Sequence, residues 1–499
     1  MRTGRALPTV AAAGAVVLLL GAVGSLLAPS WQRPRLAPDR GFGALPEPRP
    51  VLDRYDYGHR VRREEVRVPV TGTTLAATVL TPDTKRGPDR RPAMVFVHGS
   101  GPATREGLIH QAERMARAGI VSLVYDKRRV GYSPVRRDYS QLADDALRMV
   151  RLLRSRSDVD PDRVGLWGIS EGGWVVPLAA SRNPEVGFVI LVAAPMMSPS
   201  SQAAWAADEG LRRQGAPDGA RRFLSRALAI GNLNYVNYDG RPAVAGMRQP
   251  VLGLYPAADR AAPPAESARI LADVLEGAGN QAYTIRFFPG ADHGMKVAGK
   301  LAPGYLETMA RWIWGLPGTG RPPAGERVAG STPEQVYAAE PPPPVPWYGT
   351  GPVLAAGFVL IGVGYLAGPV ASLVRRWRRR SGPLEPVPGS WLRVRRRQRA
   401  MTAAGVGTAV GINVAIGALV ALSFTGGPSW ASQGVWAALR LAGVGTAVLT
   451  AAAGVAAAGA VRDGWRPDAT AVASMTGAFG ATGLVLLIGA YWDLFAPRW

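Results

Sequence analysis

Ser170 stands in Gly168-Ile169-Ser170-Glu171-Gly172-Gly173, between the apolar run 164–167 and a helix-prone run. Gly-x-Ser-x-Gly in that setting is the form of a nucleophile held on a sharp strand-to-helix turn, where the glycines leave room for a strained serine backbone and the helix that follows. A hydroxyl attacks a carbonyl only when a base takes its proton and donors meet the oxyanion. Candidates for both lie on other apolar runs. Residues 92–97 have strand length and end in His98-Gly99-Ser100-Gly101, a loop able to turn backbone N–H groups towards an oxyanion. Residues 250–256 run into Asp259, and residues 283–288 run into a turn holding His293, one of four histidines in the chain. Ser170, Asp259 and His293 then read as nucleophile, orienting acid and general base. Asp292, beside the histidine, and Asp273 are the other acids for the orienting role.

These residues can meet only if the runs that carry them are neighbouring strands. Residues 64–80 alternate as Val66, Val68, Val70 and Leu75, Ala77, Val79 about Gly72, which predicts an antiparallel hairpin. Helices are expected over 108–118, 142–153 and 172–181, and strands over 120–125, 164–167 and 188–193. This alternation predicts an α/β fold, a mainly parallel sheet wound by helices on both faces, with the reactive side chains beyond the C-terminal ends of the strands. Residues 198–247 interrupt it with a helix-prone, partly charged insertion, expected as a helical cap over the pocket. Trp205, Leu211, Phe223, Leu224 and Leu228 would line an acyl or aromatic site or form the core of that cap.

The four motifs, in this order, resemble the α/β-hydrolase superfamily, and within it the bacterial serine esterases and peptidases related to dienelactone hydrolase and prolyl oligopeptidase. The resemblance covers residues 60–315. Tyr125-Asp126-Lys127-Arg128-Arg129-Val130-Gly131-Tyr132-Ser133 looks like the Asp-x-Arg-Gly-x-Gly-x-Ser loop common in that group, with Arg129 where a glycine is usual. The oxyanion hole is assigned to the backbone N–H groups of Ser100 and Glu171. The resemblance places His98 beneath the oxyanion turn rather than at the base position. The Glu171 side chain reads as a solvated acid at a helix start, favoured by the dipole, rather than as a gate for a substrate amine. No cofactor and no metal site is expected, and the absence of cysteine excludes disulfides, thiolate metal sites and a cysteine nucleophile.

The net charge of +22 is concentrated where a membrane protein needs it. Residues 6–28 form an uncharged apolar run preceded by Arg2 and Arg5, and further spans are expected at 352–374, 401–424, 435–461 and 471–492. Ten arginines fall in 375–399, none of the residues 425–434 is charged, and 462–468 hold two Arg and two Asp. The positive-inside rule then puts the N-terminus in the cytoplasm and the hydrolase outside. No nucleic-acid partner is expected. The domains are read as 1–28, a signal anchor or transmembrane helix, with a cleaved signal peptide as the alternative; 29–59, a linker; 60–316, the hydrolase with its cap; 317–347, a Pro/Gly-rich spacer; and 348–499, four transmembrane helices. Arg440 is expected near the outer end of its span and Asn413 as the main buried polar group, with Gly364-x3-Gly368 and Gly407-x3-Gly411 allowing close helix approach.

The expected function is a membrane-anchored extracytoplasmic serine hydrolase acting on small-molecule or lipid carboxylic esters, in contact with membrane lipids. A peptidase of prolyl-oligopeptidase type is the alternative within the same chemistry, disfavoured by the lack of a propeller-sized segment before residue 60 in this sequence. Acyl transfer to an envelope acceptor and a non-enzymatic membrane scaffold are the others.

Overall fold

The structure is a computed structural model of the 499-residue chain and describes residues 7–29, 34–36, 60–83, 90–230, 235–378 and 389–496. Arg2, Arg5, His59, Arg379, Arg380 and most of the expected 29–59 linker lie outside the described residues. The chain divides into a helical unit (Met1–Gln32, Ala207–Asn232 and Pro342–Trp499) and a sheet unit (Arg33–Ala206 and Leu233–Pro341). Helix α1 (Leu7–Leu27) belongs to the former.

The sheet unit opens with the expected hairpin, β1 (Arg60–Val70) and β2 (Thr73–Asp83). There follow β3 (Arg91–Val97), α2 (Glu106–Arg117), β4 (Val121–Tyr125), α3 (Tyr139–Arg154), β5 (Val159–Ile169), α4 (Gly172–Arg182) and β6 (Phe188–Val192). The first half of α5 (Pro199–Arg213) is also in this unit, and after α6 (Asp218–Ala229) the chain returns to it with α7 (Arg241–Gly246), β7 (Val251–Pro256), α8 (Pro264–Gly277) and β8 (Tyr283–Phe288). A two-strand ribbon, β9 (Lys296–Val297) with β10 (Lys300–Leu301), α9 (Tyr305–Gly315) and β11 (Val328–Gly330) complete it. Among the described residues, nine strands make one sheet in the order β1-β2-β4-β3-β5-β6-β7-β8-β11. The pairings of β1 with β2 and of β2 with β4 are antiparallel, and every other pairing is parallel.

Strands β3, β4, β6 and β7 are buried along their whole length. That is why their sequences are continuous apolar runs rather than alternating ones: helices cover both sheet faces. Helix α3 starts where Asp138 turns its carboxylate onto the Gln141 N–H (3.0 Å), a side-chain cap for an orphan donor.

In the helical unit, α10 (Gly351–Arg378), α11 (Gly389–Thr425), α12 (Ser429–Arg462) and α13 (Ala469–Tyr491) join α1 to give, among the described residues, five helices long and apolar enough to cross a membrane. A Cβ on Gly364 would come within 2.7 Å of the Gly477 carbonyl, and one on Gly368 within 2.6 Å of Ser474 Oγ, so these glycines let α10 close on α13. Gly407 faces open space instead, and the tight position on α11 is Gly405, where a Cβ would overlap Tyr365 Oη. Asn413 is exposed rather than buried, its amide turned back onto the Ala409 carbonyl (2.9 Å). A buried polar contact is made instead by Thr408 and Thr446, with hydroxyls 2.9 Å apart. Arg440 donates to the Leu494 and Ala496 carbonyls, closing the turn after α13.

The insertion departs most from expectation. Leu211, Phe223 and Leu224 are buried, with Leu228 packed beside them, among Leu419, Trp436, Tyr491 and Trp492 of the helical unit. Phe223 lies 5.6 Å from the Trp436 ring and 5.0 Å from the Trp492 ring. The apolar face of α6 is therefore buried against the terminal helices and is neither a self-contained cap core nor the lining of an acyl site. Trp205, in the sheet unit, donates its indole N–H to the Tyr337 carbonyl (2.9 Å).

Candidate active site

Strand β5 ends at Ile169 and α4 begins at Gly172, so Ser170 and Glu171 carry the whole reversal. Ser170 has φ +54°, a left-handed conformation that costs a residue with a Cβ on the order of 1–2 kcal/mol. The turn is held by Ser170 N–H to the Val192 carbonyl (3.0 Å) and Gly173 N–H to the Ser170 carbonyl (2.7 Å). A Cβ on Gly168 would come within 2.6 Å of the Gly172 carbonyl oxygen, and one on Gly173 would overlap Ala194. At Gly172 a Cβ would meet the Val97 carbonyl (3.0 Å), at the end of β3. The serine turn is thus wedged against the strand that carries the 98–101 loop.

Strands β7 and β8 are parallel neighbours, so the turns after them, with Asp259 and His293, open at the same sheet edge as Ser170. His293 Nε2 lies 2.9 Å from Ser170 Oγ, and its Nδ1 lies 2.9 and 3.0 Å from the two Asp259 oxygens. The Asp259 side chain is 1% exposed, and its Oδ1 also accepts the Ala261 and Ala262 N–H groups at 2.8 and 3.0 Å. Burial opposes the imidazolium, but the charge and hydrogen bond of Asp259 outweigh it and raise the His293 pKa above its ordinary value. Asp292 accepts the Gly294 and Lys296 N–H groups, and Asp273 pairs with Arg269 (3.1 Å). Asp259 is therefore the acid at His293.

A Cβ on Gly99 would lie 3.3 Å from Ser170 Cβ, which places the Gly99–Ser100 peptide beside the serine. Among the described residues, neither the Ser100 N–H nor the Glu171 N–H meets an acceptor. His98 is buried, with Nε2 2.6 Å from the Tyr125 carbonyl, and burial pushes its pKa down to about 4. It is a neutral donor beneath the turn.

Glu171 is where the sequence reading needs correction. Its side chain is 1% exposed, not solvated, and it binds Lys127 Nζ, Arg137 Nη1 (2.6 Å) and Tyr132 Oη (3.1 Å). Burial lowers the Lys127 pKa against the pull of this carboxylate. The loop that supplies Lys127 and Tyr132 is anchored by a second buried pair, Arg128 with Asp145 (2.6 Å), and Arg128 also reaches the Thr71 carbonyl (3.1 Å). Its left-handed residue is Gly131 (φ +77°), and Arg129 has no positive φ. Lys127 and Tyr132 were visible in a recognisable loop, but their partner is some 40 residues away and no local pattern names it. Beside Arg137 lies a cavity of about 650 Å³ bordered by Arg136, Tyr139, Arg182, Tyr235 and Tyr238, and neither Ser170 nor His293 lines it. Among the described residues no group of three or more His, Asp or Glu is placed to hold a metal ion.

Residues 135–317 match a family model described as the prolyl oligopeptidase family. The acyltransferase drtE of Aspergillus calidoustus is 29% identical over 179 residues, 35% of this chain and 54% of its own. The quorum-quenching protein AidA of Acinetobacter baumannii (strain MDR-ZJ06) is 33% identical over 103 residues, 20% of this chain and 34% of its own. The chain thus spans 54% or less of the length of these curated relatives. The hyperthermophilic esterase from the archaeon Pyrobaculum calidifontis aligns in structure with 52% of this chain and 84% of its own, at 19% identity and a TM-score of 0.36. With this strand order and a serine on the left-handed turn after β5, the unit carrying Ser170 has the α/β-hydrolase fold, and the prolyl oligopeptidase family match runs across that turn.

Proposed function

We propose that the protein is a membrane-anchored serine hydrolase that cleaves carboxylic esters on the extracytoplasmic side through an acyl-serine intermediate. The observation that carries this reading is the unbroken relay from Asp259 through His293 to Ser170 Oγ, with hydrogen-bonding separations of 2.9–3.0 Å. Ser170 Oγ attacks the ester carbonyl while His293 Nε2 takes its proton, and Asp259 holds the imidazole in the tautomer with Nδ1–H and balances its charge. The oxyanion forms against the N–H groups of Ser100 and Glu171. His293 then returns the proton to the departing alcohol, and water repeats the sequence on the acyl-serine. General-base transfer contributes about 10²–10⁴ in rate and each oxyanion donor about 10²–10³.

A serine peptidase would use the same acyl-serine, and the match to the prolyl oligopeptidase family favours that second reading. Ester cleavage is preferred because Glu171, the acid next to the serine that could take a substrate amine, is spent on Lys127 and Arg137. The membrane reading rests on the five apolar helices and on their charge. Tyr348 Oη donates to the Leu27 carbonyl (2.8 Å), so α1 ends where α10 begins. At the opposite ends, Arg375 pairs with Asp468 (2.9 Å) in the arginine-rich region that the positive-inside rule assigns to the cytoplasm. The segment between α1 and α10, which includes Ser170, is then extracytoplasmic.

Full-length protein in detergent should be labelled by a fluorophosphonate, and Ser170→Ala should abolish the labelling. Short p-nitrophenyl esters should turn over faster than aminoacyl nitroanilides. Labelling that survives the substitution would remove Ser170 from the reaction, and faster amide cleavage would install the peptidase reading.

A further inference from the structure

The peptide unit is planar and trans, so its C=O and N–H point in opposite directions. Whatever holds the Gly99 carbonyl therefore aims the Ser100 N–H, one of the two proposed oxyanion donors. Lys127 Nζ holds it, at 2.6 Å. The other two N–H groups of that ammonium go to Tyr132 Oη (2.9 Å) and to Glu171 Oε1. Tyr132 Oη in turn accepts the Gly101 N–H (2.9 Å) and lies 3.1 Å from the Glu171 carboxylate. Both peptide bonds flanking Ser100 are thus tied to one cluster. That cluster ends on the side chain of the residue whose own N–H is the second proposed donor.

We propose that Lys127, Tyr132 and the Glu171 side chain are positioning residues that set the two halves of the oxyanion hole relative to each other, with Lys127 orienting the Gly99–Ser100 peptide. The proposal rests on the reading of Ser170 as nucleophile. The device also acts electrostatically. A cation on a peptide carbonyl polarises the unit and strengthens donation from its N–H. Lys127 and Arg137 place two cationic side chains on the Glu171 carboxylate, close to the proposed oxyanion donors. None of these side chains touches the reacting atoms. Their role is to make two backbone donors, 71 residues apart in sequence, converge before the substrate arrives.

The test uses full-length protein in detergent, p-nitrophenyl acetate as substrate, and a trifluoromethyl ketone that adds to the serine as a tetrahedral oxyanion. Lys127→Met should lower kcat by about 10²-fold with little change in KM, and weaken ketone binding by the same factor as kcat/KM. Because Lys127→Met leaves a buried carboxylate underpaired and can cost the fold, the double variant K127M/E171Q, which removes both charges, is measured beside it and should show the same loss. Tyr132→Phe, which keeps both charges, should give a smaller loss in the same proportion. Full activity in the folded double variant, or a loss of kcat with unchanged ketone affinity, overturns the inference. The failure of the hydrolase reading itself has another signature: no ester turnover or serine labelling in the unaltered protein.

Discussion

His98→Gln is the substitution whose consequence follows most directly from the structure. The imidazole is buried under the turn that carries Ser100, and its pKa is lowered from 6.5 to about 4, chiefly by that burial. Between those two values the unfolded chain binds a proton that the folded chain does not, so the unfolded state gains on acidification and stability rises with pH across that window. At about 1.4 kcal/mol per pKa unit, the full passage costs the fold about 3 kcal/mol, of which about 2 kcal/mol is spent by about pH 5. His293 has the opposite sign. Its raised pKa contributes stability that is complete below its unfolded value and is lost as pH rises through its folded value. His293 is present in both proteins and cancels from the comparison. Glutamine keeps an N–H for the Tyr125 carbonyl and has no proton to gain. Urea unfolding of both proteins in detergent, followed by tryptophan fluorescence at about pH 7.5, 6 and 5, should show the variant losing about 2 kcal/mol less than the parent on the way down. Parallel curves would show that burial of His98 carries no linkage cost and would refute the argument.

Two further outcomes are expected. Asp259→Asn should leave the fold intact while lowering kcat by about 10⁴, the size of the corresponding change in serine proteases, because an amide no longer selects the productive tautomer. The acid limb of kcat/KM, which in the parent follows a His293 pKa raised by Asp259, should move downward in that variant, and an unmoved limb would detach Asp259 from the histidine. Phe223→Ala should destabilise the helical unit by about 3–5 kcal/mol through loss of the ring between Trp436 and Trp492, read by thermal unfolding in detergent; a negligible shift would contradict the packing of α6.

What could be read along the chain was whatever local sterics and local apolarity encode. The strained serine at 170 requires its own glycines, the buried parallel strands require unbroken apolar runs, and a helix apolar enough to cross a bilayer requires about 20 apolar residues in succession. The order of Ser170, Asp259 and His293 could be read as well, because each follows a strand of one parallel sheet and parallel strands end at a common edge. Other features depended on which surfaces meet. The apolar face of residues 211–228 signals burial but does not name what it is buried against, so a helix expected to complete a cap is packed instead among the terminal helices. Gly405 and Gly407 offer the same missing side chain, and only the rotation of α11 decides which one meets a neighbour. Glu171 presents the same problem in charge. A carboxylate at a helix start is ordinarily solvated, and only the fold brings Lys127, Tyr132 and Arg137 from another loop to bury it. Such a cluster is fixed by contacts between residues far apart in sequence, and periodicity and spacing carry no information about those contacts.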